Sequence, residues 1–260
     1  MLKKIIKLNA DDLWLYAGVE GGLFLLIEII ICGVMYFARP EDSVTISTCL
    51  MPIIAGFVSL IAGISHVGVT FDQAVAFGQT RRRAMGLTIA LECVETAFSI
   101  ALGAVLAVLE RFVCPNLWAW MAGAEGWVTG RAWGTWDAAP SPDGTQLLTG
   151  RFYENMAGEL LPLPENTLII NTFTLDWYWW LLAFVIGVGG GLIVGALIQR
   201  YGSKGGWIIW CICVLPMLLT QLLPIESYVL TAWFWPLMGL LFAAGIVWAL
   251  WSMLHSVVRT

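Results

Sequence analysis

Long apolar runs separated by short polar segments dominate the chain. Six of these runs approach or exceed the ~20 residues that an α-helix needs to cross a bilayer. They lie at about residues 13–37, 44–69, 84–113, 177–198, 207–224 and 228–254. Only a short polar turn, which begins at Arg39 and Pro40, is expected between the first two runs. The pattern predicts an all-α integral membrane protein with six transmembrane helices.

Composition supports this prediction. The 260 residues are 59% apolar and 12% charged, with a mean hydropathy of +0.82, beyond the range of soluble domains. The net charge of -5 argues against a general affinity for nucleic acid. The six cysteines lie in or next to apolar runs, so they are expected to be buried thiols and not a secreted disulfide framework.

The first residues form a separate short segment. Residues 1–12 place apolar side chains opposite lysines, which is typical of an amphipathic helix at an anionic membrane surface. The acidic residues Glu20 and Glu28 interrupt the following apolar run, and no small-residue cleavage site is present. We therefore expect this segment to be an interfacial helix that is retained in the protein.

The distribution of basic residues predicts the orientation. Cytoplasmic loops of membrane proteins carry an excess of Lys and Arg. If the N-terminus is inside, nine of the thirteen Lys and Arg residues are cytoplasmic: Lys3, Lys4, Lys7, Arg81, Arg82, Arg83, Arg200, Lys204 and Arg259. Both termini are therefore expected in the cytoplasm, and residues 177–260 are expected to form spans four to six and a short tail.

Residues 114–176 do not fit the pattern of spans and turns. They are rich in Gly, Pro, Trp and acidic residues and contain no run long enough to cross a membrane. A connection of this length is rare between neighbouring helices. We expect an extracellular subdomain that is either a folded cap or a substrate-binding face, with Trp118 and Trp120 at the membrane interface.

The segment 71–83, between the second and third runs, combines aromatic, acidic and basic residues. It is predicted to form a short helix that begins with Asp72 as its N-cap and ends at Gly78. Such an element can enter a groove on a cytoplasmic partner, although an ordinary positive loop has the same composition. The candidate docking residues are Phe71, Asp72, Val75, Phe77, Gly78, Arg81, Arg82 and Arg83.

Glycines recur on one face of the fourth run. Gly187, Gly191 and Gly195 are spaced by four residues and leave that face without side chains. Small residues at this spacing allow close helix packing in membranes, either inside one subunit or across a dimer.

Three carboxylates lie inside apolar runs and are candidates for a translocation path. Glu92 and Glu95 share a face of the third run, at roughly 14 and 18 Å along the helix axis from Arg83. Glu28 lies on the same face of the first run as Glu20. Ionisable groups in membranes often mark functional paths, but they also occur as neutral, hydrogen-bonded structural groups.

Enzymatic and metal-binding sites find little support. The two histidines, His66 and His255, lie near the ends of runs, and no HExxH motif occurs. A metal site formed by His66 with Glu92 and Glu95 is conceivable but is not favoured over a simple polar side chain. The chain has no GxxxxGK[ST] motif, so any use of ATP requires a partner. We expect no catalytic residue, metal or cofactor in this chain.

Two stretches carry a resemblance to a known family. FGQTRRRAMGLTIALE, residues 77–92, resembles the Phe-Gly-x-x-Arg-basic stretch that opens the third span of many Gram-positive ABC transporter permeases. GALIQRYGSKGGWII, residues 195–209, is similar to the Gly-x-x-x-x-Arg-Tyr/Phe-Gly-Lys-Lys-Gly turn between their spans four and five, with Ser203 in place of a basic residue. With six spans and a long outer loop, the resemblance covers most of the chain in outline.

The resemblance to this type-2 exporter class implies a location and partners. It implies a bacterial plasma membrane protein that pairs with a second permease, the same or a related chain. It also implies two cytoplasmic P-loop ATPase subunits, which bind ATP and Mg. The coupling helix of the family maps to residues 71–83, and its N-terminal interfacial helix maps to the start of the chain.

Three functions remain open from the sequence. The first is an ABC exporter permease that moves a hydrophobic or amphipathic solute, such as a peptide, an antimicrobial or a lipid. The second is a proton- or ion-coupled secondary transporter or channel that uses Glu28, Glu92 and Glu95. The third is a membrane immunity or sensor protein that binds through residues 114–176.

Overall fold

The helices of the chain follow most of the apolar runs. The computed structural model describes residues 10–40, 43–47, 50–131, 152–154, 160–162, 166–173, 177–222 and 227–255. A π-helical turn, His66–Thr70, joins the second helix to the third without a break. The helices are α1 Ala10–Ala38, α2 Leu50–Ser65, α3 Phe71–Ala76, α4 Arg81–Phe112, α5 Cys114–Ala122, α6 Trp177–Tyr201, α7 Ser203–Leu222 and α8 Ser227–His255.

Within the described residues, five helical stretches are long and apolar enough to cross a membrane. They are Asp12–Ala38, Met51–Ala76, Arg81–Ala122, Trp177–Tyr201 and Pro236–His255. This confirms a helical protein of the multi-pass membrane type. The predicted fifth span falls on α7, which is not among the five, so six spans and cytoplasmic termini stay predictions. Residues 1–9 of the predicted interfacial helix, and the tail 256–260, lie outside the described residues.

The predicted start of the second span is wrong, as is the polar turn before it. Residues Ser43–Ser47 form strand β1, and α2 begins only at Leu50. In this stretch three β-branched residues, Val44, Thr45 and Ile46, follow one another between two serines. Such residues favour strands, because their side chains pack well on a pleated surface. Counting apolar residues alone merged this strand with the following helix.

The chain folds as two compact units, which we call unit 1 and unit 2. Unit 1 comprises Met1–Tyr16, Ala55–Ile100 and Leu181–Thr260. Unit 2 comprises Ala17–Ile54 and Ala101–Trp180. Helices α1, α2, α4 and α6 therefore each contribute residues to both units.

Close packing of two parallel helices shapes unit 1. The glycines of α6 that face this contact are Gly187, Gly191 and Gly195. They lie, in that order, against Ser59, Gly63 and Val67 of α2 and its π-helical turn. A Cβ atom added to Gly191 would lie 2.9 Å from the Cα of Gly63, closer than real Cβ atoms come. The glycine repeat therefore serves helix packing inside this chain.

Unit 2 contains β-sheet beside its helices. A three-stranded parallel sheet has the order β1-β5-β2, with Val44 opposite Ile170 and Val128 opposite Ile169. A second pair of strands, β3 and β4, is antiparallel. Their bounds are β2 Gly126–Arg131, β3 Phe152–Glu154, β4 Leu160–Pro162 and β5 Thr167–Phe173. Residues 132–151 and the other gaps of the predicted subdomain 114–176 lie outside the described residues.

Helix α5 places one tryptophan in the core of unit 2. It starts directly after the predicted end of the third span, with Pro115 in its first turn, where the missing N–H costs nothing. Trp118 is completely buried and belongs to one core cluster with Met35 and Ile170. Trp120, two residues further on, is 72% exposed. The predicted place of Trp118 at the membrane interface is therefore wrong.

Candidate functional site

The π-helical turn after α2 holds a buried histidine. A π-turn inserts an extra residue into a helix and is frequent at functional sites. His66 is its first residue and is buried. Its Nδ1 lies 3.3 Å from the hydroxyl oxygen of Thr70, at the other end of the turn. This contact helps to orient the ring and leaves Nε2 for another partner.

That partner is Glu95, which receives contacts from two other helical segments. The Nε2 of His66 lies 2.5 Å from the Oε2 of Glu95, and the Tyr16 hydroxyl donates a hydrogen bond of 3.1 Å to the same oxygen. The Glu95 side chain is 1% exposed, whereas that of His66 is 11% exposed. Within unit 1, α1, α4 and the π-helical turn thus meet at one carboxylate. We call Tyr16, His66, Glu92 and Glu95 the buried cluster.

Glu92, one turn before Glu95, has much weaker partners. It is 1% exposed. The Thr96 hydroxyl lies 3.5 Å from its Oε1, at the outer limit of a hydrogen bond. Among the described residues, nothing hydrogen-bonds to its Oε2. A Cβ atom added to Gly63 would lie 2.5 Å from Oε1, so the missing side chain of that glycine makes room for the carboxyl group.

The third predicted carboxylate, Glu28, belongs to unit 2 and has different partners. The indole N–H of Trp118 donates a hydrogen bond of 2.8 Å to its Oε2. Glu20, on the same face of α1, is buried as well. Glu110, which we did not single out from the sequence, is another buried carboxyl group of unit 2.

The buried cluster is not arranged as a metal site. In the part of the chain that the structure describes, no group of three or more His, Cys, Asp or Glu side chains is placed to hold a metal ion. Tyr16 was missed from the sequence, because a single tyrosine near the start of a span is usually an interfacial residue. The sequence offered one signal for Tyr16. It lies four residues before Glu20 and therefore on the same, buried face of α1.

Within the segment 71–83, residues Phe71–Ala76 form the predicted short helix, α3, which continues from α2 through the π-helical turn. Thr70, which precedes α3, has helical φ and ψ angles of -66° and -40°, so Asp72 is not an N-cap as predicted. Asp72 instead accepts a hydrogen bond of 2.5 Å from Gln199 of α6. Phe71 is completely buried and Val75 is partly buried. These contacts hold α3 in place inside unit 1, and a role of Asp72 and Val75 in docking stays a prediction.

Gly78 ends this helix. Its φ of +84° is a left-handed conformation that favours glycine. The N–H of Gly78 donates to the carbonyl of Val75, and the N–H of Gln79 donates to the carbonyl of Ala74, both at 3.0 Å. These two bonds form a Schellman motif. The chain then turns, leaves Phe77 86% exposed and starts α4 at Arg81.

Three contacts bring the ends of four helices together around this turn. Asp72 joins α3 to α6, and Arg81 donates a hydrogen bond of 3.1 Å to the carbonyl of Leu254 in α8. Arg200 of α6 lies over the ring of Trp251 of α8, 5.3 Å from its centroid. One end of unit 1 therefore collects basic residues from separate parts of the chain. We call its exposed side chains the basic turn surface: Phe77, Arg81, Arg82, Arg83, Arg200 and Lys204.

Comparisons with known proteins add no assignment to this geometry. No protein-family model, no curated protein and no solved structure matches the chain.

Proposed function

We propose that this chain is the membrane-spanning permease subunit of an ATP-driven ABC exporter. The basic turn surface carries the proposal. It presents one nearly fully exposed aromatic side chain, Phe77, beside three exposed arginines, Arg81 to Arg83. These residues lie in the stretch 77–92, which resembles the family. An exposed aromatic residue with arginines around it is the composition of a protein-binding site.

The turn is tied firmly enough to the helices to transmit movement. Residues Met51–Ala76 form one continuous helical stretch, so a displacement of Phe77 moves α2 directly. Arg81 lies in the first turn of α4 and is hydrogen-bonded to α8. A partner that closes on ATP and pulls on this surface would therefore move α2, α4 and α8 together, as a rigid-body transition.

The partners follow from the same proposal. ATP and Mg bind to cytoplasmic P-loop subunits, and this chain supplies only the docking surface, in line with the absence of a nucleotide motif from its sequence. A second permease, the same or a related chain, completes the path. The cargo is a hydrophobic or amphipathic solute, such as a peptide, an antimicrobial or a lipid, and the location is a bacterial plasma membrane.

A second candidate function has its own support. The short contact between His66 and Glu95 places a titratable base on a carboxylate inside apolar helices. Groups of this kind serve proton-coupled transporters. A carrier of that type would work without an ATPase, so the two candidates differ in their need for the basic turn surface.

Copurification separates the two candidates. The chain would be isolated in mild detergent from its native host, and proteins that accompany it would be identified by mass spectrometry. We expect a P-loop ATPase in stoichiometric amount, which the double substitution Phe77→Ala, Arg82→Glu releases because both side chains are exposed. Phe57→Ala serves as the control, since Phe57 is also exposed but lies within α2. A lone chain that moves solute into liposomes without ATP would contradict the proposal.

A further inference from the structure

Glu92 is a buried carboxyl group of unit 1 that has few hydrogen-bond donors around it. Its Oε1 meets only the distant Thr96 hydroxyl, and its Oε2 has no hydrogen-bond partner among the described residues. An ionised carboxylate in such surroundings has lost its water without gaining donors, which is strongly unfavourable. A neutral carboxylic acid avoids this penalty, because it carries no charge and its O–H can itself donate.

The sequence around Glu92 supplies no fixed positive charge. The stretches 10–38, 50–80, 84–110 and 177–199 contain neither Lys nor Arg. His66 is the base of the buried cluster, and its Nε2 lies on Glu95 and not on Glu92. The charges of the three groups therefore cancel when Glu92 holds a proton and the imidazolium of His66 is paired with the Glu95 carboxylate.

We propose that Glu92, Glu95 and His66 form a proton-binding site, in which Glu92 holds an exchangeable proton that reaches water through His66. The site goes beyond the proposed exporter function and does not depend on an ATPase partner. In the exchange, the imidazolium of His66 first releases a proton to water and becomes a neutral imidazole. The O–H bond of Glu92 then breaks as its proton moves to the Glu95 carboxylate, and the carboxylic acid so formed passes a proton to the imidazole. The reverse sequence brings a proton from water back to Glu92.

The geometry favours a proton over a larger ligand. A methyl group at Gly63 would already collide with Oε1 of Glu92, and Gly191 of α6 closes the same side. His66 is the most accessible member of the three, which makes it the route to water. Among the described residues, three other ionisable groups act on the site. Tyr16 of α1 donates to Glu95, Asp12 of α1 interacts electrostatically with His66, and Cys93 of α4 interacts electrostatically with Glu92. Helix α6 contributes glycine and no charge.

Infrared difference spectroscopy tests the proposal. The chain, with any subunit that copurifies, is reconstituted in lipid, and the spectrum of Glu92→Gln is subtracted from that of the natural protein. We expect the loss of a carboxylic acid carbonyl band, which shifts in D2O. Glu92→Asp, which retains the acid, should move the band without abolishing it, and it serves as the second variant if Glu92→Gln does not fold. Glu125→Gln, at an exposed carboxyl group, is the control and should leave the carboxylic acid band of Glu92 in place.

The route is tested by the rate of the deuterium shift. His66→Gln should slow the shift of the Glu92 band several-fold, whereas His255→Gln, at the second histidine of the chain, should leave it unchanged. Loss of a carboxylate band in Glu92→Gln would mean that Glu92 is ionised and would overturn the proposal. A Glu92 band that does not shift in D2O, or equal rates in the two histidine variants, would overturn it too. None of these results bears on ATPase docking.

Discussion

Units 1 and 2 each bury glutamates inside apolar helices, but they surround them with different partners. In unit 1, Glu95 faces an imidazole and a phenol, two groups that can themselves gain or lose a proton. In unit 2, Glu28 accepts from the indole N–H of Trp118, a donor that does not titrate. The same residue type is therefore placed for proton exchange in one unit and for a fixed hydrogen bond in the other.

The packing around the buried carboxyl groups also differs between the two units. Glu92 of unit 1 lies against backbone, where Gly63 and Gly191 bring two helices close together. Glu28 of unit 2 lies beside a core of large side chains that includes Trp118 and Met35. A backbone contact has no side chain that can rearrange, so unit 1 should tolerate added volume poorly. Unit 2 should depend mainly on its buried tryptophan.

The largest effect is expected from Gly63→Ala. The new methyl group would meet Glu92 and the backbone of Gly191, so we expect a loss of about 3 kcal/mol of unfolding free energy. Unfolding in detergent measures this loss. Gly86→Ala on α4 is the control, because nothing lies within 4 Å of its added Cβ, and alanine favours helix. Equal stability of the two variants would show that the α2–α6 contact opens freely, and the packing contrast between the units would fail.

Trp118→Phe is expected to have the next largest effect, in unit 2. It removes the indole donor of Glu28 while retaining a ring, and we expect a loss of about 2 kcal/mol. Hydrogen exchange, measured by mass spectrometry, should increase in peptides of α5 and β5 and stay constant in peptides that contain His66. Trp120→Phe is the matched control, since its side chain is mostly exposed. Faster exchange around His66 would mean that the two buried carboxyl groups are not independent.

The helices were largely predictable from the sequence because lipid imposes a simple rule on them. Apolar length alone gave α4 to within a few residues, from 84–113 predicted to Arg81–Phe112 observed. The buried face of α1 followed from the eight-residue spacing of Glu20 and Glu28. Strand β1 was missed, since its partner β5 lies more than 100 residues further along the chain, at Thr167–Phe173.

The candidate site was predictable only in part, because its contacts join residues that are far apart in the sequence. Spacing along one helix placed Glu92 and Glu95 on one face, and both are buried. Their partners come from other helices: Tyr16 lies 79 residues from Glu95. Trp118 likewise lies 90 residues from Glu28. No local pattern encodes such contacts, which depend on how the helices pack.

Tyr16→Phe has the smallest expected effect and defines the contrast most sharply. It removes one donor from Glu95 and leaves the ring and His66 in place, so we expect a loss of about 1 kcal/mol in unfolding free energy. Tyr36→Phe on the same helix is the control, because Tyr36 is exposed and its loss of a hydroxyl group should change nothing measurable. Unfolding in detergent compares the two variants.

Because His66 still holds Glu95, the deuterium shift of the Glu92 band should keep its natural rate in Tyr16→Phe. A slowed shift would make the phenol part of the proton route, and a loss well above that of Trp118→Phe would make Glu95 a structural anchor like Glu28.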